Sequence, residues 1–181
     1  LNDGWSSNSV PYYINPTNTD VSEAAARTAV QAGADAWATQ SNADFEFSYA
    51  GDTESQTISL DGENNVFFRD ASSGSAIATA YYWSSGGEMI ESDVVFWDGG
   101  FTFFTGTSGC SSGVYIEDVA THEFGHMAGV GHSSVSNATM YPYYSLCSSN
   151  SRTLASDDQE GIEALYPEAG DSPPPTSPSD L

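Results

Sequence analysis

The sequence contains no lysine, and its only strong cations are Arg27, Arg69 and Arg152. Against them stand 25 aspartates and glutamates, for a formal net charge of -22 at pH 7. Such a surface repels nucleic acid and anionic membranes, so neither is expected as a partner. It keeps a protein soluble, and it also suits high salt or calcium bound by acidic loops, since ions screen the self-repulsion. No run approaches the roughly 20 apolar residues that a membrane span requires. Histidine is nearly absent too: the 3 present all fall between positions 122 and 132. Cysteine is limited to Cys110 and Cys147, with no Cys-x-x-Cys spacing to suggest a thiolate metal site. One disulfide or two free thiols both fit; the disulfide is favoured and implies an oxidising, extracellular compartment. The chain begins at Leu1 without a signal-like segment and reads as a processed mature form or a trimmed piece of a longer chain.

What is present is globular. With 181 residues and 13% aromatics, one domain with a sizeable core is expected. Val10 to Ile14 reads as a strand, and Asp20 to Gln40, rich in alanine, as a helix. The spacing of Val21, Ala25, Thr28, Ala32 and Ala36 predicts a buried stripe there, with Trp37 beside it. Ala43 to Tyr49 alternates, which predicts a half-buried strand with Phe45, Phe47 and Tyr49 inward. Val66 to Arg69, Ile77 to Trp83 and Met89 to Trp97 complete about five strands. A Gly/Ser-rich loop spans Thr105 to Gly113, and Val114 to Ala128 has helical spacing. Ser156 is the expected N-cap of a last helix, with Gln159 closing a capping box. The order predicts an α+β fold, a twisted mixed sheet packed on helices, over residues 1–168. Residues 169–181, Pro/Ser-rich, read as a linker or tail.

Residues 122 to 132 read HEFGHMAGVGH. Side chains four apart on a helix share a face, with Cβ atoms about 5–6 Å apart, so His122 and His126 can converge on one metal. A third ligand must arrive from another direction, and Gly129 can end the helix in the left-handed conformation. His132 then supplies the third imidazole. Three neutral imidazoles leave the fourth tetrahedral position of a zinc ion open to water, the arrangement of a catalytic site. Glu123, beside the first ligand, can act as general base on that water and then protonate the leaving amine.

This extended pattern resembles the metzincin metallopeptidases, and the chain is most similar to their matrix metalloproteinase, or matrixin, branch. Ser133 follows His132, and Met140 lies within Ala138-Thr139-Met140-Tyr141-Pro142, similar to the Met-turn of that family. Leu154 to Tyr166 resembles its C-terminal helix. The resemblance implies that Met140 packs as a floor beneath the imidazoles and that Pro142 and Tyr144 form a wall of the specificity pocket. The loop carrying Cys147 would line that pocket. It further implies that the strand around Ala76 to Tyr82 pairs with an extended substrate. Asp157 and Asp158 would tie the last helix to the Met-turn or to the mature amino terminus, or only favour the helix dipole. Pro142 stands where astacin-like and serralysin-like enzymes carry tyrosine. Val94 and Val95 stand near the place of a structural-zinc ligand, so one zinc per chain is expected. The family often binds calcium; Asp61 to Asn65 and Asp93 to Asp98 supply oxygens, which turn chemistry explains nearly as well.

The implied activity is that of a secreted, monomeric zinc endopeptidase cleaving protein or peptide substrates before a hydrophobic residue. A zinc-binding recognition module without catalysis, and an enzyme acting on another amide such as a peptidoglycan cross-link, are the competing readings. An intact Glu123 weighs against the first.

Overall fold

A computed structural model describes residues 3–168; the expected linker over 169–181 lies outside the described residues. The chain runs through strands Gly4–Trp5 (β1) and Ser9–Asn15 (β2), helix Glu23–Thr39 (α1), then Glu46–Asp52 (β3), Asn65–Arg69 (β4), Ala78–Ser85 (β5) and Glu88–Trp97 (β6). Two short strands, Phe103–Phe104 (β7) and Val114–Tyr115 (β8), lead into helices Ile116–Met127 (α2) and Ser156–Leu165 (α3).

The main sheet has six strands, in the order β1-β6-β4-β2-β3, with β5 on the opposite side of β6. All pairings are parallel except β5 with β6. The strand beyond the five expected is β1, too short to announce itself by pattern. The turn between β5 and β6 is Gly86-Gly87, both with positive φ, which matches the twist of a two-residue hairpin.

Period-2 alternation sorts the central strands between two cores. Val66, Phe68, Val94 and Phe96 face the main core with the helices, whereas Phe67, Val95 and Trp97 form a smaller cluster on the other face, under Ile58. Val94 and Val95, near the place of a structural-zinc ligand in the resembling family, are thus fully buried among apolar side chains. Helix α1 starts at Ser22, whose hydroxyl accepts from Ala25 N–H. Its buried face is Ala26, Ala29, Val30, Gly33, Ala34, Ala36 and Trp37, a rotation away from the expected stripe, with which it shares Ala36; Thr28 is exposed. The reason is that Val30 and the Trp37 indole outweigh a row of small residues. Trp37 Nε1 donates to Thr121 O at 2.8 Å, fixing α1 against α2.

Three further expectations are corrected. Phe45 and Phe47 are buried, but Tyr49 is exposed at the open edge of β3, its hydroxyl donating to Asp52. Val114 and Tyr115 are strand, not helix: they pair with β7, and α2 begins at Ile116. The N-cap of α3 is Ala155, not Ser156. Asp158, not Gln159, reaches back to the Ala155 N–H at 2.9 Å, and the Gln159 amide is drawn off to Gln40 O at 2.7 Å.

Candidate active site

Helix α2 carries His122 and His126 on one face, and its end is built to release the chain toward His132. Val130 N–H donates to Gly125 O and Gly129 N–H to His126 O, the paired bonds of a Schellman motif. Gly129 has φ +94°, which a residue with a Cβ adopts only under strain. The carbonyls left over at the helix end find partners outside the helix. Trp5 Nε1 donates to Met127 O at 2.7 Å, and the Tyr166 hydroxyl donates to Ala128 O at 2.8 Å. Tyr166 in turn accepts from Trp5 N–H.

The three imidazoles meet. Their ligand nitrogens all lie within 4.8 Å of one another, the one cluster of three or more metal-ligating side chains among the described residues. His126 Nε2 and His132 Nε2 are 3.1 Å apart. A carbonyl can only accept, so the contacts from His122 Nδ1 to Thr139 O (2.7 Å) and from His126 Nδ1 to Val130 O (3.0 Å) place the ring protons on Nδ1. Both Nε2 atoms are therefore bare and aimed at the shared space. Burial holds His122 below the usual imidazole range and His126 down at about 3, so neither ring carries a proton that would compete with a metal. Two carbonyls fixing the tautomers, neutral rings and a spacing that admits an ion about 2.0–2.1 Å from each nitrogen all fit zinc.

Glu123 is buried on the same helix, and burial pushes its carboxyl up to about 8, with the Ala80 amide pulling the other way. Met140 is fully buried and packs against Gly125, where an added Cβ would stand 2.3 Å from its sulfur and 2.5 Å from the Trp37 ring. The second unassigned position of H-E-x-x-H thus has its own requirement, one the motif alone does not reveal. Asp158 fixes the Met-turn from below, accepting from Thr139 N–H at 2.7 Å and Met140 N–H at 3.0 Å. Asp157 is exposed.

A cleft of about 650 Å³ joins these groups. One side is the segment Ser75 to Ala80, including the start of edge strand β5; the other is Tyr141 to Tyr144 and Leu146. Pro142 and Tyr144 both line it. Tyr144 is held by its hydroxyl, which donates to Ser148 O at 2.5 Å and accepts from Tyr115 N–H at 3.3 Å. Cys110 and Cys147 are joined as a disulfide, S–S 2.02 Å, tying the 105–113 loop to this wall. Of the acidic stretches expected to offer oxygens to calcium, Asp93 is occupied by backbone donors, as is Glu91 nearby. Glu91 accepts from Asp61 and Gly62, and Asp93 from Ser59 and Asn65. Sequence reasoning passed over Trp5, Gly125 and Arg152; for Arg152 its rarity in so acidic a chain was an available signal.

The comparisons with known proteins agree with this geometry. The matrixin family profile matches residues 4–167. Over 60 residues the chain is 50% identical to rat matrilysin, covering 33% of this chain and 22% of that protein. Over 138 residues it is 32% identical to Drosophila melanogaster matrix metalloproteinase-2, covering 76% of this chain and 18% of the relative. Human matrix metalloproteinase-20 is 28% identical over 162 residues, 90% of this chain and 32% of the relative. The chain thus spans less than a third of the length of each of these relatives. With an H-E-x-x-H-x-x-G-x-x-H triad meeting at one point and a family match over nearly all described residues, the chain belongs to the matrixin family of metallopeptidases.

Proposed function

We propose that this protein is a secreted zinc-dependent endopeptidase that hydrolyses internal peptide bonds and favours a hydrophobic residue after the cleaved bond. The observation that carries the reading is the meeting of three imidazoles beside Glu123 in a cleft bordered by an open strand edge. His122, His126 and His132 would hold the zinc, which supplies Lewis-acid polarisation of the scissile carbonyl and acidifies a water.

The chain's own groups account for the rest. The outer edge of β5 has no strand partner among the described residues, so its backbone groups are open to an extended peptide. The peptide would lie between that edge and the Tyr141–Leu146 wall, with its scissile carbonyl above the imidazoles. Beside a bound zinc cation Glu123 would ionise despite its burial, and its carboxylate would take a proton from the attacking water and deliver it to the leaving amine. Met140 supports the rings without being a ligand. Apolar groups of Val119, Tyr144 and Leu146 on the cleft support a hydrophobic preference after the cut. No helix among the described residues is long and apolar enough to cross a membrane, and the disulfide suits an oxidising exterior. The catalytic domain is assigned to residues 1–168, followed by a linker or tail.

Cleavage-site mapping on a peptide library, with and without a zinc chelator, tests the reading. Cuts before hydrophobic residues that disappear with the chelator are expected. Recognition of a partner without hydrolysis under either condition would replace the enzyme with a binding module.

A further inference from the structure

Strand β1 and the residue that caps α3 meet at the exit of helix α2, far from it in sequence. The Trp5 indole donates from Nε1 to Met127 O at 2.7 Å, across a separation of 122 residues. The Tyr166 hydroxyl donates to Ala128 O at 2.8 Å and accepts from Trp5 N–H at 2.9 Å. Both carbonyls lie at the end of the helix, where it has no further N–H of its own to offer. The three groups fit closely. Tyr166 is buried and stacked on Phe45, with ring centres 4.2 Å apart. A Cβ added at Gly4 would stand 3.3 Å from the Tyr166 hydroxyl oxygen, and one added at Gly129 would stand 2.5 Å from Asp3 O. The start of the chain therefore lies directly against the turn by which the backbone leaves α2.

That turn sits between two of the three imidazoles. Val130 N–H donates to Gly125 O at 2.8 Å, and Val130 O accepts from His126 Nδ1 at 3.0 Å. The turn thus orients the His126 ring as well as carrying the chain on to His132, whose Nε2 lies 3.1 Å from that of His126. Among the described residues no carbonyl orients the His132 ring as Thr139 and Val130 orient the other two. The approach of His132, an exposed residue, is therefore set by the backbone from Gly129 onward. A shift at Met127 or Ala128 reaches Val130 within three residues and His132 within five. Groups that hold those two carbonyls hold the imidazoles in place.

We propose that Trp5 and Tyr166 are positioning residues for the metal centre, which fix the exit turn of α2 and thereby slow the release of zinc. The inference rests on the zinc peptidase reading above. Its test follows transfer of zinc from the folded protein to a chelator, well below Tm. Tyr166→Phe removes the hydroxyl that makes two of the three bonds but keeps the ring on Phe45, and should speed release about tenfold, the low end of what changes beyond the ligands cost in metal affinity. Trp5→Phe removes one bond and should speed it about threefold. Phe67→Leu, in the apolar cluster on the other face of the sheet, lowers stability by leaving a cavity and should release zinc at the wild-type rate. A purely structural role for Trp5 and Tyr166 would likewise lower Tm and leave release alone. Wild-type release rates in both Tyr166→Phe and Trp5→Phe, or in whichever of them folds, overturn the proposal, as does an equal acceleration in Phe67→Leu. A wild-type protein that takes up no zinc overturns the zinc reading, and this inference with it.

Discussion

Gly125 shows how tightly the metal-binding helix is fitted to its support. A Cβ there would stand 2.3 Å from Met140 Sδ and 2.5 Å from the Trp37 ring. The methionine can swing aside; the indole, hydrogen-bonded to Thr121, cannot. Gly125→Ala should therefore lower stability by about 2 kcal/mol through overpacking, read as the shift in urea midpoint at constant m-value. An unmoved midpoint would mean the Met-turn yields freely. Asp158 is the complementary case. It is buried and accepts three N–H groups, from Thr139, Met140 and Ala155. Asp158→Ala leaves all three unpaired and should cost roughly 3 kcal/mol, while Asp157→Ala, at an exposed position, should cost little by the same unfolding measurement.

Secondary-structure elements were legible where a local rule governs them, and illegible where distant partners decide. The H-E-x-x-H-x-x-G-x-x-H run carries its own geometry: helical spacing, a glycine stop and a returning histidine. Strands β4 and β6 announced themselves as apolar runs. By contrast, β1 is two residues long, and what makes it matter is that Trp5 and Tyr166 together satisfy the buried carbonyls at the end of α2. No window of sequence contains that relation. The α1 stripe was misplaced because alanines give a weak pattern, and the choice of face was made by Trp37 meeting Thr121. The loop between β3 and β4 is a third case. Its backbone is held by buried Glu91 and Asp93, and burial, opposed by the Asn65 and Ser59 amides, pushes Asp93 up to about 6 from an ordinary 3.8. The folded protein thus binds this proton more readily than the unfolded chain. The associated stability is complete below pH 4 and is lost as pH rises through 6, on the order of 3 kcal/mol. The difference in unfolding free energy between wild type and Asp93→Asn, followed from pH 4 to 7, should show that slope. A pH-independent difference would remove Asp93 from the account.

At the scale of the whole molecule the charge of -22 opposes folding by self-repulsion that counterions weaken. Two of the three arginines are paired with carboxylates, Arg27 with Asp52 and Arg152 with Asp118 and Glu117, so little compensating charge is left. Raising sodium chloride from about 20 mM to 1 M, with chelator present to exclude calcium, should raise Tm by a few degrees. A Tm indifferent to salt would show that the carboxylates are too dispersed to strain the fold. The proposed chemistry lies at one point in this acidic molecule, where His122, His126 and His132 would hold a zinc ion and Glu123 would move the proton. Its most direct test is zinc content and peptide hydrolysis measured side by side in wild type and Glu123→Gln. One zinc per chain in both proteins, with hydrolysis reduced roughly 10³-fold in the variant, is predicted. A wild type without zinc, or a variant that cleaves as fast as wild type, would contradict it.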